Sequence, residues 1–265
     1  MATSKLSFDE ARLALRKFRD HPTRNSEEVV ELWQTVLQKN ETRLGEEVWA
    51  IYEQVFVALL DCGDMNHSRE LLEKLYQRFP SSQRVRKLNA LYKEAAGHFE
   101  EALDIYDKLL EVDATNPVYR KRKIAVLLGQ QKRVEAIEEL IEYLKTFLND
   151  KEAWLQLSSL YLAELDYAKA AHCMEEVILS QPYEADYLVR YADIKYTQGG
   201  LENIEIAKQY FIQASRLNPS SLRAAYGALL ACEWLAQKQT GQKKKDYVAV
   251  GTWAAERIVE IYTEE

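Results

Sequence analysis

Glycine and proline are scarce in this chain of 265 residues, 9 and 5 in all. It therefore has few obligatory breaks and suits long helices joined by short corners, a continuous solenoid better than two globular domains. No apolar run reaches the roughly eighteen residues that span a bilayer. VFVALL (55–60) and IAVLL (124–128) are core-length segments only. The start, MATSKLSFDEARLALRKF, lacks the long apolar centre of a signal peptide and is not read as one. Cysteine is limited to Cys62, Cys173 and Cys232, without a C-x-x-C pair, which fits buried thiols in a reducing compartment. In such a compartment the acceptor triplets Asn40-Glu41-Thr42 and Asn66-His67-Ser68 would stay unglycosylated. Basic charge is in the minority as well: a net charge of −7 and a pI near 5.4 argue against a general nucleic-acid binder.

Catalytic groups are missing too. His21, His67, His98 and His172 show no zinc-binding helix spacing, and neither glycine-rich phosphate-binding pattern occurs. Gly199-Gly200 lies between helices with no strand before it. His172 and Cys173 are adjacent, so on a helix they point about 100° apart. They read as an exposed histidine beside a core cysteine. Glu138-Glu139 and Glu175-Glu176 read as solvated helix faces. No enzyme, metal or cofactor is expected.

What is present is periodicity. In WLQLSSLYLAELDYAKAAHCMEEVILSQP (154–182), Trp154, Leu157, Leu160 and Tyr161 form one apolar helix stripe. Glu164 to Tyr167 make a corner, Ala170, Met174, Val177 and Ile178 form a second stripe, and Pro182 stops it. The unit is a helix hairpin whose small Ala170 allows close approach. Steps of 34 residues back from Ala170 reach Ala136, Ala102 and Ser68, and the place four later reads Leu72, Tyr106, Leu140 and Met174. Pro80 answers Pro182 three steps away, and Ala207, Phe211 and Pro219 repeat the pattern after 37 residues. The three extra residues are assigned to a lengthened loop at Gly199 to Asn203.

This spacing resembles the tetratricopeptide repeat, with Trp154, Leu157, Tyr161, Ala170 and Pro182 on its signature positions. The resemblance implies an all-α fold, a right-handed superhelix of antiparallel helix pairs. Residues 49–221 hold five repeats, 1–48 form N-terminal capping helices, and 222–265 form a widened C-terminal pair, all in one continuous solenoid. In the second and third repeats Arg86, Asn89, Arg120 and Lys123 occupy signature places, so the stripe is expected to rotate onto Val85, Leu88, Tyr92 and onto Ile124, Leu127, Leu128. The cap is read as a helix through Leu6, Ala11, Leu13, Leu15 and Phe18, a break at His21-Pro22-Thr23, and a helix with an Asn25/Glu28 capping box carrying Val29, Leu32, Trp33, Val36 and Leu37. At the other end, Leu222 to Gln237 is a helix, Gln239 to Lys245 a loop, and Asp246 to Tyr262 the last helix.

Charge marks one surface. Arg84, Arg86, Lys87, Arg120, Lys121, Arg122 and Lys123 fall on the first helices of two neighbouring repeats. First helices line the concave side of such a superhelix, so this band is a candidate docking surface for acidic segments, Lys87 and Lys121 above all. The alternative is that these residues pair with glutamates of adjacent helices. Co-chaperone members of the repeat family grip heat-shock protein tails through a Lys/Asn/Arg carboxylate clamp. Here Glu53, Val57, Leu88 and Leu91 stand at most of its places, which leaves a soluble co-chaperone adaptor as the second reading. The Lys243-Lys244-Lys245 run offers about 1 kcal/mol per charge at an anionic membrane, too little to anchor the chain alone.

Further stretches, NSEEVVELW, EEVWAIYEQV, RKRKIAVL, DYAKAAHCMEE and YADIKYTQGGLENIEIAKQYFIQASRLN, are similar to the subunit 2 family of the endoplasmic reticulum membrane protein complex. That resemblance implies a non-catalytic scaffold, peripheral on the cytoplasmic face of the reticulum and attached through partners only. Its implied partners are the cytosolic parts of membrane subunits 3 and 5 and a soluble subunit of the 8 or 9 type, in a machine that inserts tail-anchored and multipass proteins.

Overall fold

The computed structural model describes residues 6–21 and 24–264, all helical or connecting, so Pro22 and Thr23 of the expected break lie outside the described residues. Two compact units result, 1–132 and 133–265.

The first unit opens with α1 (Phe8–Asp20), held by a capping box in which the Ser7 side chain accepts from Glu10 N–H and the Glu10 carboxylate accepts from Ser7 N–H. Leu13, expected in its stripe, is largely exposed at 63%, because Ala11 and Leu15 already define the buried face. In α2 (Ser26–Leu32), Asn25 makes no side-chain cap bond to the backbone, which corrects the capping box expected there. Its amide reaches the Glu28 carboxylate instead. The chain continues through a π-type turn at Trp33–Leu37 and 3-10 turns at Gln38–Glu47, broken at Asn40 and at Gly45 with φ +57°.

Helix pairs follow: α3 (Val48–Asp61) with α4 (Met65–Arg78), α5 (Gln83–Ala95) with α6 (Phe99–Val112), then α7 (Pro117–Gly129). The second unit contains α8 (Arg133–Thr146), α9 (Lys151–Ala163) with α10 (Tyr167–Ser180), α11 (Ala185–Gln198) with α12 (Leu201–Leu217), and α13 (Leu222–Lys238) with α14 (Gly241–Glu264). The repeat step governs burial: Ser68, Ala102, Ala136 and Ala170, 34 residues apart, and Ala207, 37 further on, are each 0% exposed. Tyr106, Leu140, Met174 and Phe211, four residues later, are buried around them. Pro80, Pro182 and Pro219 stand exposed, each two residues past the end of a helix, where a proline no longer breaks a helical hydrogen bond. The rotated stripes are present, since Val85, Leu88, Ile124 and Leu127 are buried.

The corners obey the same step. Gly63, Gly97, Gln131, Leu165 and Gly199 all have positive φ, between 59° and 77°. In the first four the next N–H turns back to a carbonyl five residues earlier: Asp64 to Leu59, His98 to Lys93, Lys132 to Leu127, Asp166 to Tyr161, at 2.9 to 3.0 Å. This is the Schellman closure, which needs a left-handed residue. Asp64 and Asp166 then accept from the N–H groups of His67 and Lys169, so one residue ends one helix and caps the next.

The fifth corner corrects the reading of a lengthened loop. Gly199 and Gly200 both adopt positive φ and make the whole turn, so α12 starts at Leu201. The added residues lengthen the helices: α12 has 17 residues where α10 has 14. A second correction concerns the last helix, which begins at Gly241, φ +68°, so Lys243, Lys244 and Lys245 form its first turn rather than a loop. A third concerns the thiols: Cys173 and Cys232 are buried, whereas Cys62 ends α3 in an exposed corner.

Candidate partner-binding surface

The basic band falls on α5 and α7, and several of its cations have a definite partner. Glu53 on α3 receives both Arg84 and Lys87 of α5, the latter at 3.8 Å. Arg122 of α7 reaches back to Glu94 at the end of α5, and Lys123 pairs with Asp107 of α6 at 3.1 Å. Arg120 donates to the carbonyl of Ala114 at 3.0 Å, closing the turn before α7. Arg86 is exposed, and Lys121 is half-buried. Four of the seven, Arg84, Lys87, Arg122 and Lys123, already meet carboxylates of adjacent helices.

Residues 53, 87 and 121 are separated by 34 residues each, so the acid and the two lysines occupy the same place in successive repeats, and Lys87 meets Glu53 across one such step. That signal was available in the sequence.

The half-buried centre of this network is Glu94, whose side chain is 12% exposed. It accepts from the hydroxyl of fully buried Tyr106 and from Arg122. Burial, then the Glu94 charge, pushes the Tyr106 hydroxyl well above its ordinary range. Burial alone would lower the Arg122 guanidinium, but Glu94 outweighs it and holds the cation charged.

Beside the band, α1, α2 and α3 enclose a groove of about 600 Å³ with an apolar floor of Phe18, Val29, Val57 and Ala58. Its rim is a chain of ion pairs. Arg24 grips Asp61 with two bonds, 2.9 and 2.6 Å, and Ser26 donates to the same carboxylate at 2.6 Å. Arg19 joins Glu47 at 2.7 Å and Gln54 at 2.8 Å. The Arg24 hydrogen bonds hold Asp61 below its ordinary value against the opposing effect of burial. For Glu47 burial raises the carboxyl, and Arg12 and Arg19 together overcome it. Arg24 and Arg84, which line the groove, are 79% and 70% exposed. Their guanidiniums lie within reach of an incoming carboxylate. The periodic reading did not find Arg19 and Arg24, because the cap stands outside the 34-residue register, nor Asp61, their neighbour at the end of α3.

In the second unit His172 is exposed beside buried Cys173, and no group of three or more potential metal ligands occurs among the described residues. Nor, among them, is any helix long and apolar enough to cross a membrane.

Paired helices in a 34-residue step, with small residues at each close approach, define a tetratricopeptide repeat protein. Solved structures agree: the C-terminal part of a repeat-containing protein from Cytophaga hutchinsonii superposes with a TM-score of 0.64, covering 96% of this chain and 95% of that one, at 14% identity. The family can be stated more narrowly, for residues 65–199 match the model described as the EMC2 TPR-like repeat domain. ER membrane protein complex subunit 2-A of Xenopus laevis is 43% identical over 97% of this chain and 87% of its own length. The Dictyostelium discoideum subunit 2 is 32% identical over 82% of this chain and 70% of its own. The chain belongs to the family of ER membrane protein complex subunit 2.

Proposed function

We propose that this chain is a non-enzymatic scaffold subunit of the ER membrane protein complex, peripheral on the cytoplasmic face of the membrane. It organises the cytosolic parts of a machine that inserts tail-anchored and multipass proteins. The observation that carries the proposal is the 43% identity over nearly the whole chain to relatives that bear the subunit 2 name. The absence, among the described residues, of a membrane-spanning helix is consistent with attachment through other subunits.

In this reading the groove of the first unit and the band on α5 and α7 hold an extended segment of a membrane subunit, of the subunit 3 or 5 kind. A soluble subunit of the 8 or 9 type takes another surface. Apolar side chains of the segment would settle on Phe18 and Val57, and its carboxylates would compete for Arg24, Arg84 and Arg86. Such rim pairs set register and encounter rate more than affinity.

A photo-crosslinking residue at Val57 tests this. Cross-links to a membrane subunit, lost when Lys87→Glu and Lys121→Glu are combined, would support it. Cross-links only to heat-shock protein tails would return the function to the co-chaperone adaptor, which the missing carboxylate clamp at Glu53, Val57, Leu88 and Leu91 disfavours.

A further inference from the structure

The groove beside α1, α2 and α3 carries its charges in two layers. The titratable residues that line it are Arg19, Arg24 and Arg84 on one side of the balance and Glu53 and Asp61 on the other. The two carboxylates lie deeper, 19% and 22% exposed, whereas Arg24 and Arg84 are their well exposed partners. With the groups that pair with these five added, Arg12, Lys87 and Glu47, cations still outnumber acids. An arriving segment therefore meets positive charge first, above an apolar floor.

Each inner acid holds only part of its arginine. Asp61 takes Nε and Nη2 of Arg24, at 2.9 and 2.6 Å, and Glu53 takes Nε of Arg84. A guanidinium offers its N–H donors as a fork, so it can serve two carboxylates at once. Nη1 of Arg24 and the terminal nitrogens of Arg84 make no other bond among the described residues. An incoming acid can share each arginine, but it does so against a penalty. Two carboxylates on one guanidinium stand roughly 6 Å apart, and at that distance their repulsion weakens binding by about threefold to tenfold for each pair.

We infer that Asp61 and Glu53 determine what the groove accepts, making it select a segment that carries a large apolar side chain and a carboxylate together. The acid alone gains a shared arginine and meets the repulsion of the inner carboxylate. The apolar side chain alone gains the floor of Phe18, Val29 and Val57 and leaves the guanidiniums unanswered. A built-in repulsive element of this kind narrows specificity without adding a contact. The inference rests on the groove holding a partner segment, and it adds the chemistry of that segment and the residues that read it.

Fluorescence anisotropy of the full chain with three synthetic peptides tests it: one alternating Asp with Leu and Phe, one with those apolar residues replaced by Ser, and one with the Asp replaced by Asn. The native chain should bind the first about tenfold tighter than either of the others. Asp61→Asn combined with Glu53→Gln keeps an accepting oxygen for each arginine, so helicity and melting should stay near native. That variant should bind the acidic serine peptide about tenfold tighter than the native chain does, which narrows the selectivity. Each single change should go part of the way, and supplies the same readout should the pair melt early. Glu70→Gln combined with Glu111→Gln, on α4 and α6 outside the groove, changes the net charge equally and should leave binding as it was. If the native chain binds none of the peptides, the groove is not a docking site and the reading beneath the inference falls with it. If it binds the first peptide but the Asp61 and Glu53 variants gain nothing for the serine peptide, or the control gains as much, the inference alone is overturned.

Discussion

The two units build their helix contacts differently. In the N-terminal unit successive first helices are linked by carboxylates shared between repeats: Glu53 joins α3 to α5, and Glu94 joins α5 to α7 while also holding Tyr106 of α6. In the C-terminal unit close approach dominates. Ala224, Ala225, Ala228 and Ala231 of α13 are fully buried, and a Cβ built on Gly227 would lie 2.4 Å from the Phe211 ring. Arg223 with Asp193 links α13 to α11 there, but Arg223 is 75% exposed, so that pair contributes little. Small residues are buried in the N-terminal unit too, Ser68, Ala90 and Ala102 among them, but there Arg84, Lys87 and Arg122 add ion pairs to Glu53 and Glu94 that tie one first helix to the next.

The sharpest way to break the comparison is to overfill the apolar contact. Gly227→Leu forces side-chain atoms into the Phe211 ring and should cost about 3 kcal/mol, seen as a lower urea midpoint. A fall of less than 1 kcal/mol would show that α13 moves aside freely.

Next comes the polar centre. Glu94→Gln removes the charge that Arg122 and Tyr106 share and should cost about 2 kcal/mol, already reduced for the partial exposure of Arg122. Tyr106→Phe should cost about 1 kcal/mol, and the double variant should lose less than the sum, because both act on one network. Full additivity would mean that the two contacts are independent.

The corners offer a gain. Leu165 sits at φ +59° and is 69% exposed, so Leu165→Gly relieves left-handed strain without emptying a core site and should stabilise by about 0.5 to 1 kcal/mol. Gly97→Ala, at the matching position, should destabilise by about 1 kcal/mol.

The smallest effect is at acid pH. Asp61 and Glu47 have folded pKa values below their ordinary 3.8 and 4.5. The stability they contribute is complete above those ordinary values and disappears as pH falls through the lower folded ones. Arg24→Ala should therefore lower the melting temperature at neutral pH by an amount worth less than about 1 kcal/mol, and the difference from the native chain should vanish in strong acid. A difference that grows toward low pH would reverse the assignment.

Most of the repeat architecture was legible because it rests on one-residue decisions repeated at a fixed step. Alanine stands where helices cross, a large apolar residue four places later, and proline beyond the end. What escaped was local backbone geometry. Gln131 and Leu165 adopt the left-handed corner without glycine, since the closure at Lys132 and Asp166 over-determines them. The run GGLEN looked like a longer loop, yet two glycines suffice for the turn and Leu201 already belongs to the helix. The triple lysine looked like a loop because charge of that sign is unfavourable at a helix start. Of the candidate site, the basic band was found, but not the carboxylates that neutralise it, Glu53 on α3, Glu94 on α5 and Asp107 on α6. Only Glu53 and Lys87 are paired across the 34-residue step, whereas Arg84, Arg122 and Lys123 reach carboxylates at other places of the repeat, which periodicity does not mark.

The most direct test of the scaffold proposal is affinity purification of the tagged chain from a membrane fraction in mild detergent, with salt raised stepwise and every co-purifying chain identified. The account predicts a stoichiometric multi-subunit membrane complex, weakened when Lys87→Glu and Lys121→Glu are combined although the variant melts as the native chain does. Recovery of cytosolic chaperones alone, or of a complex indifferent to that double reversal, would contradict the scaffold or its binding face respectively.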